Sequence, residues 1–222
     1  MSSTAQSCHV EPGGPAWLAN LGNAIVRKRS VSEEDNNAYL ITCRRTGEQL
    51  LIDAADRAED VLDLVASGSG QLQLVVTTHQ HWDHHRALRA VVDRHAPATA
   101  AGADDADALP VPPDTRLVHG DTLTVGDLTL DVVALRGHTP GSVALALRDG
   151  AGGTHLFTGD SLFPGGPGKT WSPEDFGSLM DDLEARIFGG YPDDTVVHPG
   201  HGDSTTLGAE RPSLPEWRDR GW

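Results

Sequence analysis

A run of metal-ligand side chains directly follows the pattern of a buried β-strand in the middle of the chain. The segment LQLVVTT is apolar and β-branched, and it leads into HQHWDHH, residues 79–85. Because a strand end holds side chains rigidly at the edge of a sheet, His79 and His81 can face one metal ion. Asp83 and His84 can then face a second ion nearby. The chain must therefore form a sheet whose edge presents this run.

Three more candidate ligands each follow a further predicted strand. They lie in the segments RGHTPGS, FTGDS and VHPGHG, and glycines beside them permit the tight backbone turns of ligand loops. A packing requirement does not explain three strand ends that each deliver such a residue next to glycine. We predict that one site contains all seven candidates: His79, His81, Asp83, His84, His138, Asp160 and His201.

The rest of the chain is rich in predicted strands, with helices between them and no internal repeat. This order predicts an α+β fold with two sheets sandwiched between helices. The length fits a single domain over residues 1–222, with 1–20 as a loose lead-in and the Ala-, Asp- and Pro-rich 96–113 as a surface excursion. Strands are predicted at 23–29, 37–43, 49–53, 72–78, 128–135, 142–148, 155–158 and 195–198, and helices at 57–66, 83–95, 173–188 and 205–210.

The charge of the chain argues against several classes of partner. Its net charge of −15 would repel nucleic acid and anionic membrane surfaces. No apolar run approaches the ~20 residues that span a bilayer, and residues 1–10 lack the features of a secretory signal. Two cysteines, Cys8 and Cys43, do not make a disulfide framework. We expect a cytoplasmic protein with a small-molecule substrate, and its oligomeric state stays open.

The ordered motifs H-x-H-x-D-H, GHTPGS, TGDS and PGHG resemble the metallo-β-lactamase superfamily, above all its glyoxalase II-like (hydroxyacylglutathione hydrolase) branch. The resemblance extends over residues 23–205. It implies a four-layer αββα sandwich with the metals at the sheet edges, in agreement with the predicted elements. It also implies two metal sites bridged by Asp160. The first set would be His79, His81 and His138, and the second Asp83, His84 and His201.

The same resemblance implies a chemistry. Two Zn²⁺ ions would share a bridging hydroxide, because the cations lower the pKa of bound water towards ~7, and this hydroxide would cleave a thioester or related acyl or ester bond. Asp83 would orient the hydroxide or receive its proton. Lys169 matches a basic residue that contacts the substrate carboxylate in this branch, and Trp171 and Phe163 would line the pocket. Iron, or zinc mixed with iron, is the alternative metal content.

Other activities of the superfamily stay open from the sequence. A mononuclear iron persulfide (sulfur) dioxygenase would use His79, His138 and Asp160, although such proteins typically carry Arg near the position of Lys169. A lactone or β-lactam hydrolase would share the metal ligands. No C-terminal helical domain like that of full-length glyoxalase II is expected after His201, so the acyl group and its carrier are unspecified.

Four further residues carry weaker expectations. Asp53, in LLIDAAD, is expected to brace a neighbouring loop. His85 is expected to start a helix or to support the ligands from behind. Trp217 and Trp222 near the C-terminus can pack either on the body of the protein or on a partner, and the sequence does not distinguish these.

Overall fold

The computed structural model describes residues 8–221, along which strands and helices alternate. The strands are β1 (Trp17–Asn20), β2 (Ala24–Ser30), β3 (Asn37–Cys43), β4 (Glu48–Ile52), β5 (Gln71–Thr77), β6 (Ala98–Gly102), β7 (Thr115–Leu117), β8 (Thr122–Val125), β9 (Leu128–Ala134), β10 (Val143–Arg148), β11 (Thr154–Gly159), β12 (Leu162–Phe163), β13 (Gly166–Pro167), β14 (Val196–Pro199) and β15 (Thr205–Thr206). The α-helices are α1 (Ala58–Ala66), α2 (Leu88–His95), α3 (Pro173–Asp182), α4 (Leu207–Glu210) and α5 (Leu214–Arg220).

The strands form two main sheets. The first has the order β1–β2–β3–β4–β5–β6–β7, antiparallel as far as β4 and parallel beyond it. The second has the order β15–β14–β11–β10–β9–β8, antiparallel except for the β11–β14 pair. β12 and β13 form a small separate hairpin. Two sheets, as predicted, therefore make the body of the protein.

Apolar side chains join these sheets and the helices into four layers. Ile41 of β3 and Phe157 of β11 belong to the buried cluster between the two sheets. Leu64 of α1 packs in a second cluster on the outer face of the first sheet. Leu179 of α3 and Trp217 of α5 pack in a third on the outer face of the second sheet. Burial of each such side chain contributes about 1.5–3 kcal/mol, and the predicted αββα sandwich is confirmed.

The carboxyl ends of four strands meet at one edge of this sandwich. In the second sheet β9 and β11 both run antiparallel to β10, and β14 runs parallel to β11, so all three point the same way. Their following loops carry His138, Asp160 and His201. The amide of Val143 donates to the carbonyl of Thr78, at 2.9 Å, and so joins this edge to the end of β5 in the first sheet.

Three sequence predictions about the fold are wrong. Within the described part of the lead-in 1–20, Cys8 and Val10 are buried and β1 pairs with β2; residues 1–7 lie outside the described residues. The segment 96–113 is no surface excursion, because it contains β6, which pairs with β5 and β7. The helix predicted over 83–95 is a 3₁₀ turn, Trp82–His84, followed by α2.

The break in that predicted helix has a clear cause. The amides of Arg86 and Ala87 donate to the carbonyls of Ala55 and Ala54, at 2.9 and 3.0 Å, and not to carbonyls one turn earlier. The helix predicted over 173–188 is confirmed as α3 and a directly following π-helical turn, Leu183–Phe188.

The C-terminal segment packs on the body of the protein. Trp217 is 2% exposed, and its ring lies 6.2 Å from that of Phe188 between centroids. Trp222 lies outside the described residues. Among those that are described, no helix is long and apolar enough to cross a membrane.

Candidate metal centre

The seven predicted ligands come together at the shared edge of the two sheets. They fall into overlapping groups of three whose ligand atoms all lie within 4.8 Å of one another. The groups are His79, His81 and His138; His79, His84 and Asp160; and Asp83, His84 and His201. We call the first group the first triad and the last group the second triad. These two triads are the two ligand sets that the resemblance implies.

Asp160 lies between the two triads. Its Oδ2 is 3.7 Å from Nε2 of His138 in the first triad and 3.5 Å from Nε2 of His201 in the second. Its Oδ1 is 3.4 Å from Nε2 of His84. The Asp160 carboxylate therefore lies within reach of both triads, and its role as a bridge between two metal ions stays a prediction.

The chemistry of this donor set fits metal ions. Nε2 of His138 is buried and has no hydrogen-bond partner among the described residues, although buried polar atoms are normally paired. Nε2 of His79 lies 3.1 Å from Nδ1 of His81, and Nε2 of His84 lies 3.2 Å from Nε2 of His201. Imidazole nitrogens and carboxylate oxygens that converge in this way are the ligands that Zn²⁺ and iron take in proteins.

Outer hydrogen bonds fix the orientation of the ligand rings. Nδ1 of His138 donates to the carbonyl of Lys169 at 2.6 Å, and Nδ1 of His201 to that of Glu34 at 2.8 Å. Each bond places the proton on Nδ1 and leaves Nε2 to face the cluster. Residues that sequence reasoning did not connect with the site, such as Glu34, therefore orient the ligands through their backbone.

Asp53 has the bracing role that was expected of it. Its carboxylate accepts hydrogen bonds from the amide of Thr78 at 2.7 Å, from the Thr78 hydroxyl at 2.8 Å, and from Nδ1 of His84 at 2.9 Å. Its backbone lies in the left-handed region, with φ of 58°, which Asp tolerates better than most residues. Asp53 thus connects the end of β5 to a ligand of the second triad.

The electrostatics of the cluster favour added positive charge. Burial raises the pKa of Asp160, but hydrogen bonds with His201 and His84 outweigh it and hold that pKa far below its usual range. Burial lowers the pKa of His84 and of His201, but their hydrogen bonds with Asp160 and neighbouring carboxylates raise both to about 10. Burial lowers the pKa of His79 and the pKa of His138. The anionic carboxylate of Asp160 among these imidazoles therefore favours a bound cation.

Sequence reasoning missed Asp105, which ties two ligand loops together. Its carboxylate accepts from the amide of Gln80 at 2.9 Å, from the hydroxyl of Thr139 at 2.6 Å, and from the amide of Gly141 at 2.7 Å. Gln80 lies between the first two ligands of the run, and Thr139 follows His138. Asp105 is fully buried. It lies in the segment predicted as a surface excursion, so no signal in the sequence connected it with the site.

Asn36 is a second missed residue. Its side-chain amide donates to Oδ2 of Asp83 at 3.0 Å and lies 3.2 Å from Nε2 of His201. It therefore holds two members of the second triad together.

His85 lies outside the ligand groups, and its ring contacts the carbonyl of Gln80 at 3.1 Å. Because Gln80 lies between His79 and His81, this contact supports the backbone of the ligand run, as expected.

The three residues predicted to contact substrate lie around the cluster. The ring centroid of Trp171 is 6.2 Å from that of His81, and the centroid of Phe163 is 6.4 Å from that of His201. The Lys169 amine lies 4.4 Å from the centroid of the Trp171 ring, which is 57% exposed. Aromatic side chains therefore flank both triads.

A pocket of about 330 Å³ lies at the loop that contains Lys169. Lys169 and Arg220 both line it, together with Phe176. Neither cation forms an ion pair with an acidic side chain among the residues that the structure describes. The carbonyl of Lys169 is the acceptor for Nδ1 of His138, so one residue that lines the pocket also contacts a ligand of the first triad. Arg220, near the C-terminus, was not singled out from the sequence.

This sandwich with two adjoining His/Asp triads at its edge defines the class of protein. The sequence profile of the metallo-beta-lactamase superfamily matches residues 31–201. The chain belongs to the metallo-beta-lactamase superfamily. Hydroxyacylglutathione hydrolase from Ruegeria pomeroyi is similar to it, with 36% identity over 169 residues, which are 75% of this chain and 62% of the relative. The chain thus spans less than two thirds of that relative.

Two solved structures extend the comparison. ETHE1 from Myxococcus xanthus is 30% identical with a TM-score of 0.74, over 86% of this chain and 83% of that one. TTHA1623, solved in a di-iron-bound form, is 29% identical with a TM-score of 0.68, over 83% of this chain and 96% of that one. The fold is therefore shared with a protein that holds two metal ions.

Proposed function

We propose that this protein is a metal-dependent hydrolase with a dinuclear centre, and that it cleaves a thioester or related acyl bond of a small molecule. The observation that carries the proposal is the pair of complete triads with Asp160 between them. The mononuclear alternative would use only His79, His138 and Asp160. Similarity to a hydroxyacylglutathione hydrolase supports a thioester as the bond that is cleaved.

When bound, two zinc ions would supply a water of lowered pKa and polarise the acyl carbonyl of the substrate. Asp83 is the side chain of this chain best placed to orient that water, because its carboxylate belongs to the second triad and is 20% exposed. Two groups fix the direction of this carboxylate. The side-chain amide of Asn36 donates to Oδ2 of Asp83 at 3.0 Å, and Nε2 of His201 lies 3.3 Å from the same oxygen. No side chain needs to form a covalent intermediate.

Charge in the pocket at Lys169 supports an anionic substrate. The protein carries a net charge of −15, yet Lys169 and Arg220 line one pocket and have no acidic partner among the described residues. Such groups bind carboxylates through charge-assisted hydrogen bonds. The exposed Trp171 ring next to Lys169 offers an apolar surface for the thiol side of a thioester. An acyl thioester whose carrier has a carboxylate matches both features.

Iron is the second candidate metal, because a similar protein was solved in a di-iron-bound form. Iron bound at one site alone would favour the persulfide dioxygenase alternative. Metal content and reaction type therefore need to be measured on the same preparation.

The test combines elemental analysis with an acyl-transfer assay. The protein is produced with both zinc and iron supplied, and its metal content is compared with its hydrolysis of an S-(2-hydroxyacyl)glutathione thioester, followed by loss of thioester absorbance. We expect about two metal ions per chain and hydrolysis that a chelator abolishes. One iron per chain, with oxygen consumed on a persulfide and no thioester cleavage, would overturn the proposal.

A matched pair of histidine variants connects the activity to the site. His81→Ala should lose hydrolysis and lower the metal content, because His81 belongs to the first triad. His119→Ala, an exposed histidine outside the three ligand groups, should keep both. Full activity and metal content in His81→Ala would contradict the assignment of the first triad.

A further inference from the structure

Lys28 is a buried lysine that the proposed reaction does not use. It lies on the buried face of β2, between Val26 and Ser30, and is 1% exposed. Burial of an amine is costly unless it is hydrogen-bonded. The contacts of its amine therefore decide whether the side chain can be accommodated at this position.

The amine of Lys28 joins two distant segments of the chain. It donates to the carbonyl of Cys8 at 3.0 Å and to the carbonyl of Gly202. Gly202 directly follows His201, a member of the second triad. Burial lowers the pKa of Lys28, and the carboxylates of Asp35 and Asp203 oppose this lowering.

Residues 35–37, in β3 and the loop before it, also hold the loop at His201. The side-chain amide of Asn37 donates to the carbonyls of Pro199 and Gly202, at 3.0 and 2.9 Å. The amide of Gly202 donates to the carbonyl of Asp35 at 3.2 Å. These contacts come from residues 35–37, whereas Lys28 lies within β2, opposite Tyr39 of β3. The lysine adds a contact between this loop and the N-terminal segment, where the His9 ring also lies 2.9 Å from Asp203.

We propose that Lys28 is a positioning residue for the second metal of the dinuclear centre. Its amine fixes the carbonyl of Gly202, and with it the backbone that aims His201, while the carbonyl of Cys8 holds the amine in place. The inference rests on the proposed dinuclear centre. It makes the affinity of the second triad for its metal ion depend on Lys28, a residue outside both triads. Loss of outer contacts of this kind typically weakens metal binding 10–100-fold.

The test is metal binding by Lys28→Met, in which an apolar side chain of similar length fills the space without donating. Metal-free protein is titrated with Zn²⁺ in equilibrium dialysis. We expect wild type to bind two ions, and Lys28→Met to show a roughly 10–100-fold weaker second ion with the first unchanged. Arg27→Met is the control, because Arg27 lies on the other face of β2, where it contacts Thr42. Wild-type affinity for both ions in Lys28→Met would overturn the proposal.

A second readout separates positioning from general stability. Zn²⁺ raises the melting temperature of a protein in proportion to its binding free energy. A lysine that only stabilised the fold would lower the melting temperature equally with and without Zn²⁺, and this result would contradict our proposal. We expect the rise caused by Zn²⁺ to shrink. Lys28→Gln, which keeps a neutral donor, allows the same comparison if the Met variant does not fold.

The number of ions that the wild-type protein binds distinguishes a failure of the proposed dinuclear centre from a failure of the role proposed for Lys28. Fewer than two ions in wild type would contradict the dinuclear centre itself. Two ions in wild type and two equally tight ions in Lys28→Met would leave the centre intact and remove Lys28 from it.

Discussion

Asp53 and His84 form a buried pair behind the candidate metal centre, with Oδ2 of Asp53 2.9 Å from Nδ1 of His84. The His84 side chain is fully buried and that of Asp53 is 2% exposed. The pair directs Nε2 of the imidazole towards Asp160, 3.4 Å from its Oδ1. A carboxylate behind a metal-binding histidine fixes the ring and makes it a stronger ligand.

Replacing Asp53 by Asn should therefore weaken metal binding about 10–100-fold. Asn tolerates the left-handed backbone at this position, and its oxygen can still accept from the amide of Thr78, but its NH₂ group cannot accept from His84. Zn²⁺ titration of the metal-free variant measures the effect. Asp56→Asn, in the same loop but paired with Arg86, serves as the control. Equal affinity in both variants would show that the Asp53 contact does not support the metal.

The tie made by Asp105 should contribute to stability even without metal. Asp105→Asn replaces a buried carboxylate that accepts three hydrogen bonds. A hydrogen bond to a charged group contributes about 1.5–3 kcal/mol to the free energy of unfolding. We expect the unfolding free energy of the metal-free protein to fall by about 2 kcal/mol or more, measured by urea unfolding. The neighbouring exposed Asp104, changed to Asn, should alter it by less than about 0.5 kcal/mol. Similar values for the two variants would refute the bracing role.

The cationic pocket should distinguish substrates by charge. Arg220→Met is expected to raise KM about tenfold for a thioester whose carrier has a carboxylate, which corresponds to about 1.4 kcal/mol of lost binding. A neutral aryl ester should be cleaved as before. Arg218→Met is the matched control on the same helix, because Arg218 is paired with Asp181 and Glu184. The same change for charged and neutral substrates would remove Arg220 from the substrate site.

Asp182 provides a prediction about pH. Burial raises the pKa of this carboxyl, but hydrogen bonds from Arg136 and the charge of Arg186 outweigh it, so the pKa lies below its ordinary value of 3.8. A depressed folded-state pKa means that the stabilisation is present above pH 3.8 and is lost as the pH falls towards the folded-state value. Asp182→Asn should cost about 1–2 kcal/mol at neutral pH.

The difference between Asp182→Asn and wild type should shrink on acidification, in urea unfolding measured from pH 7 to pH 3. Asp181→Asn is the control, because the Asp181 side chain is 72% exposed and surface ion pairs contribute little. A difference that stays constant with pH would show that the ion pair is not its source.

The ligand set could be predicted from the sequence because metal chemistry restricts it. Only a few residue types bind zinc or iron, and the spacing of the run from His79 and the glycines beside His138, Asp160 and His201 are unusual enough to recognise. The structure brings all seven predicted ligands together. Their binding of metal stays a prediction until it is measured.

The supporting residues could not be predicted in the same way. Asp105, Asn36 and Lys28 have no characteristic spacing, and their partners lie far away along the chain: Asp105 contacts Gly141, and Lys28 contacts Gly202. Alternation along β2 does place Lys28 in phase with the buried Val26, but a buried phase alone does not reveal which carbonyls the amine contacts.

The same division applies to the fold. Alternating and continuous apolar runs determined the two sheets and most helices, because strand and helix periods are local properties of the sequence. Only the tertiary structure decided that β6 enters the first sheet, that the helix after His84 is broken, and that the N-terminal segment is buried. Each of these depends on hydrogen bonds between residues distant in sequence, whose free energy overrides local preference when the chain packs.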